Sequence, residues 1–152
     1  MEQSGSSIEK YLSRLEEVFM GMVRRLHGEL ACQMVSGITG SQFFVLKKIN
    51  SKGRVTVSAV ADELGVSLSA ITSLVDRLVK SGFVVRSRDE QDRRLVWLEA
   101  TDKGRDILEK CVEGRRKVAA KYFGRIPESD IKKLIEIYEK ILDVMQEEEK
   151  GR

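Results

Sequence analysis

The stretch SLSAITSLVDRLVKSGFVVRSRDEQDRRLVWL, residues 67–98, decides how the rest of the chain is read. Its first half sets Ile71, Leu74, Val75 and Leu78 on one helical stripe, opened by a capping serine, Ser67, and closed by Gly82. The second half changes period. Phe83–Arg88 and Leu95–Glu99 form two strand-like arms around a tip made almost wholly of charge, with Arg93 and Arg94 beside Asp89 and Asp92. A helix that ends in glycine and runs straight into a basic-tipped hairpin is the pattern of a winged helix-turn-helix. In such a unit the helix enters a DNA major groove and the hairpin reaches the neighbouring minor groove.

Working outward, Val57–Leu64 forms a short helix with Gly65 as its left-handed end, so the helix-turn-helix spans 57–81 and the wing 83–99. Arg54-Val55-Thr56 is a candidate third strand. Thr39-Gly40-Ser41-Gln42 is a capping box opening a helix over Gly40–Ser51, and residues 39–100 together make the DNA-binding region. Residues 1–7 are polar and expected to be frayed. Apolar residues then recur at helical spacing from Ile8 through Leu12, Leu15 and Phe19 to Leu30. They recur again from Ile107 to Phe123, after a Thr101 cap, and from Ile131 to Met145, after the Gly124–Pro127 turn. The end segments 8–36 and 102–146 carry more apolar stripe than one small core covers. They are expected to interlock with a second copy as dimerisation helices, because helix-turn-helix proteins read paired half-sites through two-fold symmetry. The expected fold is mainly α with a small β-wing, one domain over 1–152.

Composition agrees. The 152 residues are 41% apolar, enough for a real core, and 34% charged, with a formal net charge of +3. Lys47–Arg105 holds 12 basic and 8 acidic residues against 15 and 16 elsewhere, so the positive excess sits with the helix-turn-helix and wing. No signal-peptide layout or membrane-length apolar run is present, so a soluble cytoplasmic chain without a membrane partner is expected. Cys32 and Cys111 fit no metal or redox spacing, and His27, near Glu29 and Cys32, is expected to be a surface histidine. With one histidine, no nucleophile elbow and no glycine-rich phosphate loop, neither catalytic residues, a cofactor nor a metal is expected.

The candidate major-groove surface is Ser67, Ser69, Ala70, Thr72 and Ser73, with Arg77 long enough to hold a phosphate. Short hydroxyls allow close approach and bond bases or phosphates, while Ala and the Thr methyl meet thymine methyls. No Arg, Asn or Gln sits early in the helix, so direct readout is expected to be modest and helped by DNA shape. The candidate wing contacts are Arg86, Arg88, Asp92, Arg93 and Arg94. A flat guanidinium suits a narrow minor groove, and an aspartate in the tip accepts backbone N–H groups and pairs with an arginine. The plain alternative for both surfaces is the solvated face of an amphipathic helix and a charged loop.

From about Ile8 to Met145 the chain resembles the MarR family of transcriptional regulators. The likeness rests on Asp89-x-x-Asp92-Arg93-Arg94 followed by Leu95, Leu98, Thr101 and Gly104. It also rests on Ile38-Thr39-x-x-Gln42, Leu64-Gly65-Val66-Ser67 and Leu74-Val75-Asp76-Arg77-Leu78-Val79-Lys80-x-Gly82. The resemblance implies a triangular homodimer on a palindromic operator, usually a repressor, with Arg94 in the minor groove, Asp92 its brace and Ser67–Arg77 in the major groove. Glu99-Ala100-Thr101 departs from the pattern and implies an extra residue or a shifted cap. Many relatives are released by a small ligand. Tyr11, Leu12, Phe19 and Phe43 are the candidate lining here, with a small aromatic or lipophilic molecule as candidate effector. The alternatives are a winged-helix protein-interaction module without DNA binding and a redox-sensing regulator acting through Cys32, with Cys111 expected buried and inert.

Overall fold

The computed structural model describes residues 3–32 and 37–151, the side chains of residues 3–6 and Cys32 excepted. Six helices and three strands follow in the order α1 (Gln3–Cys32), α2 (Gly40–Lys52), β1 (Val55–Thr56), α3 (Val57–Leu64), α4 (Leu68–Lys80), β2 (Val84–Arg88), β3 (Val96–Ala100), α5 (Asp102–Phe123) and α6 (Glu128–Lys150). The fold is mainly helical with one small antiparallel sheet, as expected. Helix α1 begins at Gln3 rather than Ile8, so the polar start joins the helix. The expected end of that segment, residues 33–36, lies outside the described residues. The chain divides into two compact units at Arg115/Arg116, within α5.

Local chemistry sets the boundaries. Thr39 and Gln42 form the capping box of α2, with the Thr39 N–H donating to Gln42 Oε1 at 2.8 Å and the Gln42 N–H to Thr39 Oγ1 at 3.3 Å. Gly65, at φ 64°, ends α3 in the left-handed region, and Ser67 caps α4 by accepting the Ala70 N–H at 3.3 Å. The path bends by 118° between these two helices. Thr56, read in the sequence only as a strand residue, also caps α3 by accepting the Ala59 N–H at 3.2 Å.

The sheet runs β1-β3-β2, so the predicted third strand pairs with the hairpin as Val55 opposite Leu98. Leu46, Ile49, Val60, Val75, Leu78 and Leu98 are fully buried together, joined by Ile107, Leu108 and Cys111 of α5. Each such aliphatic side chain stabilises the fold by roughly 1.5–3 kcal/mol. Outside this core, the Lys52 ammonium and then that of Lys48 hold Glu63 below the usual glutamate range, tying α2 to α3 at 3.0 and 3.1 Å.

The base of the hairpin is held by a small knot. The Thr101 hydroxyl donates to the Gly82 carbonyl at 2.6 Å and accepts the Gly104 N–H at 2.9 Å, while the Thr101 N–H donates to the Phe83 carbonyl at 3.0 Å. Lys103 Nζ donates to the Ser81 carbonyl at 2.9 Å. Strand β3 runs through Ala100, which pairs with Val84, and Thr101 caps α5 directly after it by accepting the Gly104 N–H. Helix α5 passes so close to Phe83 that a Cβ on Gly104 would lie 2.1 Å from the Phe83 carbonyl oxygen. Gly104→Ala therefore forces the junction apart and should cost about 2–3 kcal/mol in urea unfolding, in the range of core overpacking. Gly28→Ala, in open space on α1, should be neutral or stabilising by up to about 1 kcal/mol. Equal effects of the two would contradict this account of the junction.

Candidate nucleic-acid interface

The outer face of α4 is built by its inner one. Ile71, Val75 and Leu78 are buried, which leaves Ser69, Ala70, Thr72, Ser73 and Arg77 exposed along one side, with Ser67 at its head. Part of this chemistry is already engaged. Ser67 Oγ caps the helix and lies 3.3 Å from Ser69 Oγ, and the Thr72 hydroxyl donates to the Leu68 carbonyl at 2.8 Å. Ser73 and Arg77 carry no such bond among the described residues. Leu68, which the sequence reading passed over, is exposed at the first helical position and offers an apolar surface beside the hydroxyls.

The wing stands beside this face. Register pairs Val84 with Ala100, Arg86 with Leu98 and Arg88 with Val96, so the two arginines share the strand face of buried Val84. Arg86 is ion-paired with Asp76 of α4. The expected groove contact at Arg86 is thus also a strap from wing to helix. Arg88 and Arg93 have no partner among the described residues, and the Arg94 side chain is 93% exposed. Between α4, the start of α3 and the wing lies a concave notch of about 590 Å³, lined by Thr56, Ser58, Leu68, Thr72, Arg88 and Arg94 among others.

The tip is ordered by two aspartates. Asp92 Oδ1 accepts the Arg94 N–H at 3.1 Å and Arg94 Nε at 3.3 Å. Asp89 makes the more extensive set. Its Oδ1 accepts the N–H groups of Gln91 and Asp92, both at 2.9 Å, and its Oδ2 accepts Trp97 Nε1 at 2.9 Å. The Asp92 N–H, then the Trp97 indole, then the Gln91 N–H hold the Asp89 carboxyl below the usual aspartate range.

A MarR family model matches residues 38–96, the span from the α2 cap through the wing. The chain is 27% identical over 145 residues to the transcriptional repressor MdtR of Bacillus subtilis, covering 95% of this chain and 94% of that protein. It is 32% identical over 98 residues to the helix-turn-helix-type regulator YwhA of the same organism, covering 64% and 70%. Among solved structures, a mutant MarR from E. coli complexed with operator DNA superposes with a TM-score of 0.69 at 26% identity, covering 90% of this chain and 96% of that one. This chain belongs to the MarR family. It is a helix-turn-helix transcriptional regulator, and its small sheet is the wing of the MarR fold.

The other expected residues of this MarR-family chain lie in different settings. Phe43 is buried in the core with Arg115 stacked 5.1 Å from its ring, whereas Tyr11, Leu12 and Phe19 are exposed along α1. Cys111 is buried as expected, His27 is exposed, and the Cys32 side chain lies outside the described residues. No single described helix is long and apolar enough to cross a membrane.

Because Asp89 is held below its ordinary value, its bonds contribute order that is present above the unfolded-state aspartate pKa. That order is lost as pH falls through the lower, folded one. Emission from Trp97, the single tryptophan, should be flat from neutral pH down to the ordinary aspartate range and change only below it. A midpoint at or above that range would contradict the assignment.

Proposed function

We propose that this chain is a sequence-specific double-stranded-DNA-binding repressor that acts as a homodimer on a two-fold-related operator. The observation that carries the reading is the notch that puts Leu68 and Thr72 of α4 on one concave surface with Arg88 and Arg94 of the wing. A duplex whose major groove takes α4 presents its backbone to the notch and its adjacent minor groove to the tip. In the major groove Ser69, Ala70, Thr72 and Ser73 meet base edges and thymine methyls, Ser67 sits at the head of the helix, and Arg77 takes a phosphate. In the wing Arg88 and Arg93 meet phosphates, Arg94 enters the minor groove braced by Asp92, and Arg86 holds the wing to α4. Few of these groups make bidentate base contacts, so groove shape and the wing carry much of the specificity.

The dimer rests on apolar surface. Ile8, Leu12, Leu15 and Phe19 lie exposed on α1, and Ile135, Tyr138, Ile141, Leu142 and Met145 lie exposed on α6. Two such stripes exceed the scattered apolar exposure of an ordinary monomer, and a second copy is the occupant that also supplies the second half-site. The repressor role of MdtR and the operator complex of E. coli MarR support the repressor reading.

Titration against DNA from the chain's own upstream region tests it. Wild type should bind with a steep inverse salt dependence. Arg94→Ala should lose about 1–3 kcal/mol and reduce the salt slope by about one counterion. Unchanged affinity and slope would contradict the wing assignment, and no binding at low salt would favour a winged-helix interaction module.

A further inference from the structure

We infer that Trp97 is a positioning residue for DNA binding: through its bond to Asp89 it aims Arg94, which it does not itself touch. The inference rests on the proposed function.

Trp97 occupies the central strand, opposite Ser87 of β2 and Thr56 of β1. Its neighbour Leu98 is fully buried, so alternation puts Trp97 on the outer face of the sheet, where core packing gives no reason for an indole. The ring is engaged at its edge and over its face. At the edge, Nε1 donates to Asp89 Oδ2 at 2.9 Å. Over the face, the Arg54 guanidinium lies 4.8 Å from the ring centroid, and Arg54 Nε is 3.4 Å from Glu99 Oε1. Arg54 directly follows Gly53, whose φ of 73° ends α2. The indole thus spans from the end of α2 to the start of the wing tip.

The connection continues to Arg94 in single steps. Asp89 holds the N–H of Asp92, and Asp92 holds both the N–H and Nε of Arg94. Apart from these carboxylates the tip is closed by two backbone bonds, Asp89 N–H to the Leu95 carbonyl at 3.0 Å and Leu95 N–H to the Asp92 carbonyl at 2.9 Å. An exposed arginine loses rotamer freedom when it enters a groove, and fixing its stem beforehand lowers that cost. An Asp89 carboxyl held below the usual aspartate range agrees with a carboxylate that receives all three donors.

Two substitutions isolate the bond. Trp97→Phe keeps a ring under Arg54 and removes the N–H. Asp89→Asn keeps an oxygen for the two backbone donors and turns an amide N–H₂ towards the indole. Each should weaken DNA binding about fivefold, the order of one net hydrogen bond. The double variant should be no weaker than either single one. In an Arg94→Ala background Trp97→Phe should have no further effect, which a merely structural role would not predict.

In the free protein, Asp89→Asn should raise iodide quenching of Trp97 emission with no change in melting of the helices. Wild-type affinity in Trp97→Phe, an equal loss with Arg94 already removed, or unchanged quenching would each overturn the inference. Wild-type protein that binds no DNA contradicts the proposed function, whereas bound DNA with unaffected variants contradicts only the role of Trp97.

Discussion

The aim of the wing is set at its base, where the Phe83 carbonyl and the backbone of α5 come together. Gly104 permits that approach, and Thr101 secures it by bonding at once to Gly82, Phe83 and Gly104. A hairpin magnifies any error at its root, because a strand rises about 3.3 Å per residue and a small tilt at Val84 becomes ångströms at Asp89. Packing Ile107 and Leu108 of α5 into the same core as Val75 and Leu78 of α4 makes the root as rigid as the core. Helix α4 and the wing are therefore one body, and the Arg86–Asp76 pair ties them a second time nearer the tip.

Charge in this region divides between holding and offering. Arg54, Arg86 and Arg105 pair with Glu99, Asp76 and Asp102. Arg77, Arg88 and Arg93 have no partner among the described residues, and the Arg94 side chain is fastened only at its Nε and is otherwise exposed. Exposed pairs of this kind contribute little to stability. Their consequence is directional, since they fix which guanidinium groups remain to meet an anion. The modest positive excess of the sequence understates the surface for this reason.

Much of the fold was legible because its signals are local: a capping box at Thr39, a left-handed glycine at 65, a serine cap at 67 and a strict helical stripe in α4. The third strand was legible as well, from Val55 and Thr56 after a glycine turn. What escaped was long-range or shared. Thr56 serves strand and cap together, and Gly104 is dictated by a carbonyl 21 positions earlier. Asp89 reaches Trp97 only after the tip folds back. By charge Arg86 reads as one more wing arginine, although its parity with Val84 places it on the strand face that turns to α4. Phe43 and the aromatic residues of α1 share a composition but not a location, since one fills the core and the others face outward. Hydrophobicity alone does not separate a core residue from an interface residue.

The central claim is that α4 and the wing read adjacent grooves of one duplex as a single surface. Dimethyl sulfate protection on DNA from the chain's own upstream region tests it most directly, since guanine N7 reports the major groove and adenine N3 the minor groove. The account predicts two clusters of guanine protection related by a two-fold axis, each with protected adenines in the minor groove alongside. Guanine protection without the adjacent adenines, or no protection of either, would contradict it.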